Sequence, residues 1–325
     1  MRKQSTIWIV TACSLVLFGL IIFGGAMTAM GWDFSKLSSS KYETNYYDVD
    51  YIFSDLSILC DTADITFMAA EDKECSVVCY EDVKAKHCVS VKDGVLSIAL
   101  EDTRKWYDYI GIFNFDTPKI VVYLPRGRYG SLSLKGSTGD VMIPNDFIFQ
   151  SVDISVSTGD VTYAAPASDD IKIKASTGDI SVQNISAGSL NLSVSTGEIT
   201  VSNVTCKGDV NVSVSTGKSD ITDLTCNNLG STGNTGDISL KNVTATGNFS
   251  IERSTGDVKF DACDAAEISV KTDTGDVKGS LLTEKIFITQ TDTGRIDVPE
   301  TANGGKCKIF TDTGDIKIQI VSNNS

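Results

Sequence analysis

Along most of this chain, apolar residues come in pairs separated by one polar residue, and the pairs return at a fixed interval. Counted from a recurrent glycine, the positions seven and five before it hold Val152 and Ile154, Ile171 and Ile173, Leu190 and Leu192, Val210 and Val212, and Phe249 and Ile251. The positions two and four after it hold Val161 and Tyr163, Ile180 and Val182, Ile199 and Val201, Ile238 and Leu240, and Val258 and Phe260. A further apolar position, seven after it, holds Ile185, Val204, Leu224 and Val243. A spacing of two is that of a strand with one face buried, so each repeat predicts two or three short strands with Ser, Thr, Asn, Lys and Asp facing outward. No segment has helical spacing, and a unit of 19–20 residues leaves no room for a crossover helix. Strands of successive units then pair in parallel and in register, about 4.8 Å apart. The pattern predicts an all-β fold: a parallel, β-helix-like β-solenoid of about ten 19–20-residue coils over residues 131–325, on the order of 50 Å long.

The glycine that sets the frame follows a threonine and recurs at Gly139, Gly159, Gly178, Gly197, Gly217, Gly236, Gly256, Gly275, Gly294 and Gly314. Reversing the chain within two residues favours a left-handed backbone position, which glycine adopts without steric penalty. These ten glycines are therefore expected to be structural turns. The residue after each glycine is usually acidic (Asp140, Asp160, Asp179, Glu198, Asp237, Asp257, Asp276, Asp315), with Lys218 and Arg295 interrupting the column. Its carboxylate is expected to cap turn amides that otherwise lack a partner.

Upstream, residues 49–130 are β-rich but irregular and read as a cap, which an open solenoid end needs. Asp61-Thr62-Ala63-Asp64 copies the later turn with alanine in the glycine slot, marking a degenerate first coil. Lys92-Asp93-Gly94 is a tight-turn signal between Val89-Ser90-Val91 and Val95–Leu100. The aromatic run from Trp106 to Phe115, with Trp106, Tyr107, Tyr109 and Phe113, is a candidate binding loop; folding down to seal the core is the other reading.

The amino terminus follows a different rule. Residues 1–5 carry Arg2 and Lys3, residues 6–30 are uncharged, and residues 31–48 read as a short tether. The uncharged run exceeds the ~20 residues a helix needs to cross a bilayer, so it predicts a single transmembrane helix, with a cleaved signal peptide as the rival reading. Basic residues before it and Asp33, Glu43, Asp48 and Asp50 after it place the amino terminus inside and the repeats outside.

Composition narrows the chemistry. A net charge of −14 from 42 acidic and 28 basic residues argues against nucleic acid as a partner. With His87 the single histidine, hydrolytic triads and histidine-rich zinc sites lack material. The sequence supplies no catalytic residue and no cofactor motif. Late coils add a second acid two residues before the glycine, so Asp273, Asp276, Asp312 and Asp315 are candidate calcium ligands. Turn capping accounts for the same acids, and the Gly-Gly-x-Gly-x-Asp pattern of calcium-binding rolls is absent. Among the nine cysteines, Cys206 and Cys226 share one slot on adjacent coils and are candidates for a disulfide or for two free thiols. Cys60, Cys75, Cys79 and Cys88 lie in the cap without a zinc-like spacing to His87. Cys263 and Cys307 fall on inward positions. Arg253 breaks the apolar rule three residues before Gly256, and Ser231 and Gly233 weaken the preceding coil.

The recurrent Ser/Thr-Thr-Gly-Asp/Glu-Ile/Val turns, together with Asp93–Ile98 and Ile120–Pro125, resemble the bacterial membrane-anchored "putative adhesin" family that carries the β-strand repeat domain DUF4097. The resemblance runs from about Ile58 to Ile320. It implies a β-solenoid on the outer face of a cell membrane and an adhesive role; the outward polar rows add an envelope-structural role or a surface glycan or protein ligand as expectations. It brings no catalytic residues. The alternative is an accessory or sensor protein in envelope-stress signalling through a membrane partner. A polysaccharide-active enzyme is the remaining class, disfavoured because the outward acids follow the repeat.

Overall fold

The computed structural model describes residues 2–29, 31–32, 41–71, 74–104 and 117–321. Among the described residues one helix, Arg2–Ala29, precedes 27 strands. Its segment Ile7–Ala29 has a mean hydropathy of 2.5, long and apolar enough to cross a membrane. Its large side chains from Ile7 to Phe23 are exposed, as suits a helix that meets lipid rather than protein.

The repeats form a parallel β-solenoid. Each coil contributes one strand before the glycine corner and one after it, and each pairs with its copy in the next coil. Ser189–Thr196 thus aligns Leu190, Leu192 and Val194 with Val210, Val212 and Val214 of the next coil. After the corner, Ile199–Cys206 aligns Ile180, Val182, Ile185 and Ala187 of the coil before with Ile199, Val201, Val204 and Cys206. The inward rows predicted from the period-two pattern form one continuous buried core from Leu56 to Ile318. Each fully buried Ile, Leu or Val contributes roughly 1.5–3 kcal/mol relative to exposure, so the stacked apolar rows hold the rod together.

The strand after the glycine bends where no apolar residue marks the site. Asn184, Asn203, Asp223, Asn242 and Ala262, each six residues after its glycine, have φ of 52–56°. This is the left-handed region, which Asn and Asp tolerate best among non-glycine residues. The bend explains why the inward positions run two, four and then seven after the glycine. The side chains also stack: Asn203 Nδ2 donates to Asn184 Oδ1 at 2.8 Å, and Asn242 Nδ2 to Asp223 Oδ1 at 2.9 Å.

Both ends depart from sequential stacking. At the first, Asp55–Leu59 and Asp64–Ala69 form the degenerate coil and pair in parallel with Gly127–Thr138 and Val141–Ile143 on one side. On the other side they pair with Val95–Asp102 and Lys119–Leu124, which make a further coil beneath. Cys75–Asp82 and Ala85–Lys92 then run antiparallel against that coil and close the end. Tyr42–Val49 adds an outer antiparallel strand on Cys75–Asp82. For residues 42–48 this corrects the reading as a tether: Tyr47, with Val49 beside them, leans on the core, and Tyr42 stacks on Tyr80 at 5.2 Å. At the far end the order is permuted. Gly305–Thr313 lies between Glu267–Thr274 and Lys285–Thr293, and Ile316–Ile320 lies between Val277–Leu281 and Ile296–Asp297. The coil that comes later in sequence is thus an inner layer.

Candidate functional site

The outward face of the strands that precede the glycine carries a groove of about 570 Å³ across five coils. Two rows build it. One aligns Lys172, Asn191, Asn211, Gly230 and Ser250, and the other Lys174, Ser193, Ser213, Thr232 and Glu252. Short residues at the centre (Ser193, Ser213, Gly230, Thr232) and the longer Lys172, Lys174 and Glu252 at the ends make a depression. Asn211 Nδ2 donates to Asn191 Oδ1 at 3.1 Å, and Thr232 Oγ1 to Ser213 Oγ at 3.3 Å. Lys172 and Lys174 give one end positive charge and Glu252 gives the other negative charge. The groove therefore offers amides and hydroxyls, both donor and acceptor, over about 19 Å of coil stacking.

The acid column is occupied by the backbone. The carboxylates of the corner aspartates accept the main-chain N–H of their counterparts in the adjoining coil: Asp140 from Asp160 at 2.8 Å, Asp160 from Asp179 at 2.8 Å, and Asp179 from Glu198 at 2.7 Å. The ladder begins at the degenerate turn, where Asp64 accepts from Asp140 at 3.1 Å. In the late coils Asp276 Oδ1 accepts from Asp315 at 2.7 Å, and Asp315 Oδ1 from Arg295 at 3.0 Å. Lys278 bonds the other oxygen of Asp276. That contact, then the Asp315 amide, holds the Asp276 carboxyl below the usual carboxylate range. The calcium candidates Asp273, Asp276, Asp312 and Asp315 are thus not drawn into one donor cluster, because their corner members are already engaged as caps.

Among the described residues, one group of three His, Cys, Asp or Glu side chains has donor atoms within 4.8 Å of one another: Cys79, Glu81 and His87, all buried. The sequence reading had named Cys79 and His87 without Glu81. Its carboxylate is saturated by protein donors. Oε2 takes the His87 main-chain N–H and sits 2.6 Å from Nδ1, while Oε1 takes Asn45 Nδ2 at 2.8 Å. The cluster pins Tyr42–Val49, Cys75–Asp82 and Ala85–Lys92 together. Cys60, Cys75 and Cys88 are not part of it.

Cys206 and Cys226 occupy neighbouring coils as their spacing implied, yet both are buried free thiols, so the candidate disulfide is not formed. Cys206 Sγ turns instead toward the carbonyls of Gly188 at 3.3 Å and Asp209 at 3.8 Å. Burial pushes the Cys75, Cys79, Cys226 and Cys307 thiols up to about 12, which leaves them inert as nucleophiles. The aromatic loop with Trp106, Tyr107, Tyr109 and Phe113 lies outside the described residues.

Fold and surface together define a class: a parallel β-solenoid headed by an apolar helix of membrane-crossing length, with a polar groove along one wall. The chain belongs to the Toastrack DUF4097 family, whose model matches residues 53–319. It is similar to a solved structure described as a "putative adhesin" from Parabacteroides merdae, at 12% identity and a TM-score of 0.50, covering 87% of this chain and 98% of that one. Two structures from Parabacteroides distasonis, each covering 87% of this chain and 98% of theirs, are described as a "putative adhesin" (14% identity, TM-score 0.46) and a "putative lipid binding protein" (16%, 0.40). No curated protein matches the chain.

Proposed function

We propose that this chain is a membrane-tethered solenoid, exposed on the outer side of the cell membrane, that binds an extended polar ligand of the glycan class along its groove. The groove carries the reading. Hydroxyls and amides set in register at the coil spacing suit a polymer that presents hydroxyls repeatedly, and the small residues at its centre leave room for one. Family membership and the adhesin descriptions of its structural relatives support a binding role. The helix supports anchorage, and the basic residues before it with the acidic ones after it support repeats facing outward. In this reading the chain is a binder and not an enzyme.

The test is a glycan array probed with residues 33–325 and with Ser213→Trp, an outward substitution that fills the groove and spares the core. Retention of a glycan by the wild type and at least tenfold weaker retention by the variant is the expected result. An empty array, or equal binding by a folded Ser213→Trp protein, overturns the reading. Co-purification of a membrane protein that depends on residues 6–30 would then favour the signalling role.

A further inference from the structure

Four departures from the repeat, scattered over 34 residues of sequence, meet at one point in the core. Ser219 stands where the neighbouring coils place Ile199 and Ile238. Ser231 stands between Val212 and Ile251, and Gly233 between Val214 and Arg253. Arg253, 4% exposed, points inward. Its side chain crosses the slot that Gly233 leaves empty: a Cβ there would lie 2.0 Å from Nη1. Nη2 then reaches Ser231 Oγ at 2.9 Å and Ser219 Oγ at 3.3 Å.

The hydrogen-bond account does not balance. A guanidinium carries five N–H donors, and a hydroxyl that accepts a bond still has its own proton to donate. Both serines are spent as acceptors from Nη2. Nε and Nη1 are buried without a partner, and the two hydroxyl protons also need acceptors. Among the described residues no carboxylate forms an ion pair with Arg253. Thr272, next in the inward column, directs its hydroxyl to Gly256 O. The site is therefore rich in donors, poor in acceptors and positively charged. Burial of an uncompensated charge is costly, and a water molecule would accept bonds while leaving the charge. Arg253 and Gly233 also line an outer cleft of about 230 Å³, so the cluster lies close beneath the surface.

We infer that Arg253, Ser219 and Ser231 form an internal binding site for a small monovalent inorganic anion of the halide class. The anion accepts from one unpartnered edge of the guanidinium, Nε or Nη1, which face opposite sides, together with the serine hydroxyl on that side, and neutralises the charge inside the solenoid. This site is separate from the outer groove and does not depend on it.

Thermal unfolding of the full chain, held in a non-ionic detergent, in about 150 mM chloride and in about 150 mM gluconate tests the site. An anion bound at about 10 mM affinity shifts Tm upward in chloride by roughly 3 °C. Arg253→Met, whose apolar chain still spans the Gly233 slot, abolishes the shift; Ser219→Ala/Ser231→Ala keeps the charge and reduces it. Crystals soaked in bromide place an anomalous peak against the Arg253 guanidinium, within reach of a serine hydroxyl. Equal Tm in both salts for the wild type, or a shift that persists in Arg253→Met, overturns the inference. Should Arg253→Met not fold, the serine pair and the bromide map decide: an unchanged shift with water alone beside Arg253 overturns it as well.

Discussion

At each corner the glycine meets two constraints, only one of which is about its own conformation. The corner glycines from Gly139 to Gly275, and Gly314, have φ of 125–157°. That is beyond the left-handed helical region expected from the turn and inside one that is essentially glycine-only. The second constraint comes from the neighbouring coil: a Cβ on Gly197 would lie 2.1 Å from the carbonyl oxygen of Gly178, and every other corner repeats the contact at 1.9–2.2 Å. Glycine is thus required both to turn the chain and to let coils approach at strand spacing. Gly197→Ala should lose about 3 kcal/mol or more in chemical denaturation. Gly127→Ala, where the nearest atom is 4.0 Å away, should change stability by less than about 0.5 kcal/mol. The sequence announced these glycines by their period, but the second reason needs a neighbour 19–20 residues away that only stacking supplies. The left-handed Asn184 column was legible in principle, since Asn or Asp recurs six after the glycine in five coils, four of which take the left-handed turn; it was missed because a polar residue between apolar ones reads as an ordinary outward position.

Between elements, what the period foretold and what it could not are cleanly divided. Alternation gave the strands and their parallel register, because a one-residue slip would turn every inward side chain outward. It could not give the order of layers, since each coil carries the same apolar rows and fits several neighbours equally well. Hence the placement of Gly305–Thr313 beside Glu267–Thr274 was invisible in the sequence. Two engineered cysteine pairs check it, in a background lacking the exposed Cys13 and Cys88. Ser269→Cys with Lys308→Cys, which are directly paired, should cross-link on mild oxidation. Ser269→Cys with Ile288→Cys, one full coil further apart, should not, although sequential stacking would make them neighbours. The groove was half legible: its two rows follow the repeat, but the dip at Gly230 and the lysine and glutamate ends arise from residues that differ between coils. Residues 42–48 were read as tether because their few core contacts leave little apolar period.

For the whole molecule, the acidic surface is partly consumed in holding the rod together. Asp55, bonded first by the Ser131 hydroxyl and then by Ser54 and the Ser131 amide, and Asp276, bonded first by Lys278, both keep carboxyls below the ordinary value of about 3.9. A folded-state value below the unfolded one means stability that is complete above about pH 4 and is lost as pH falls through the lowered value. Acid unfolding followed by circular dichroism should therefore fall below pH 4. Asp55→Asn/Asp276→Asn should be less stable at neutral pH and show a shallower loss between about pH 4 and pH 2. The permuted far end bears on how such a rod comes together. If coils joined strictly in the order of the chain, Lys285–Thr293 would settle on Glu267–Thr274 and would have to be released before Gly305–Thr313 could enter. The outermost layer must instead wait, tied to the stacked coils only through residues 282–284, until the segment beyond it arrives and seats first. A break in the chain after Pro299 would consequently remove an interior layer and strand the tip, so the rod cannot be shortened from that end one coil at a time.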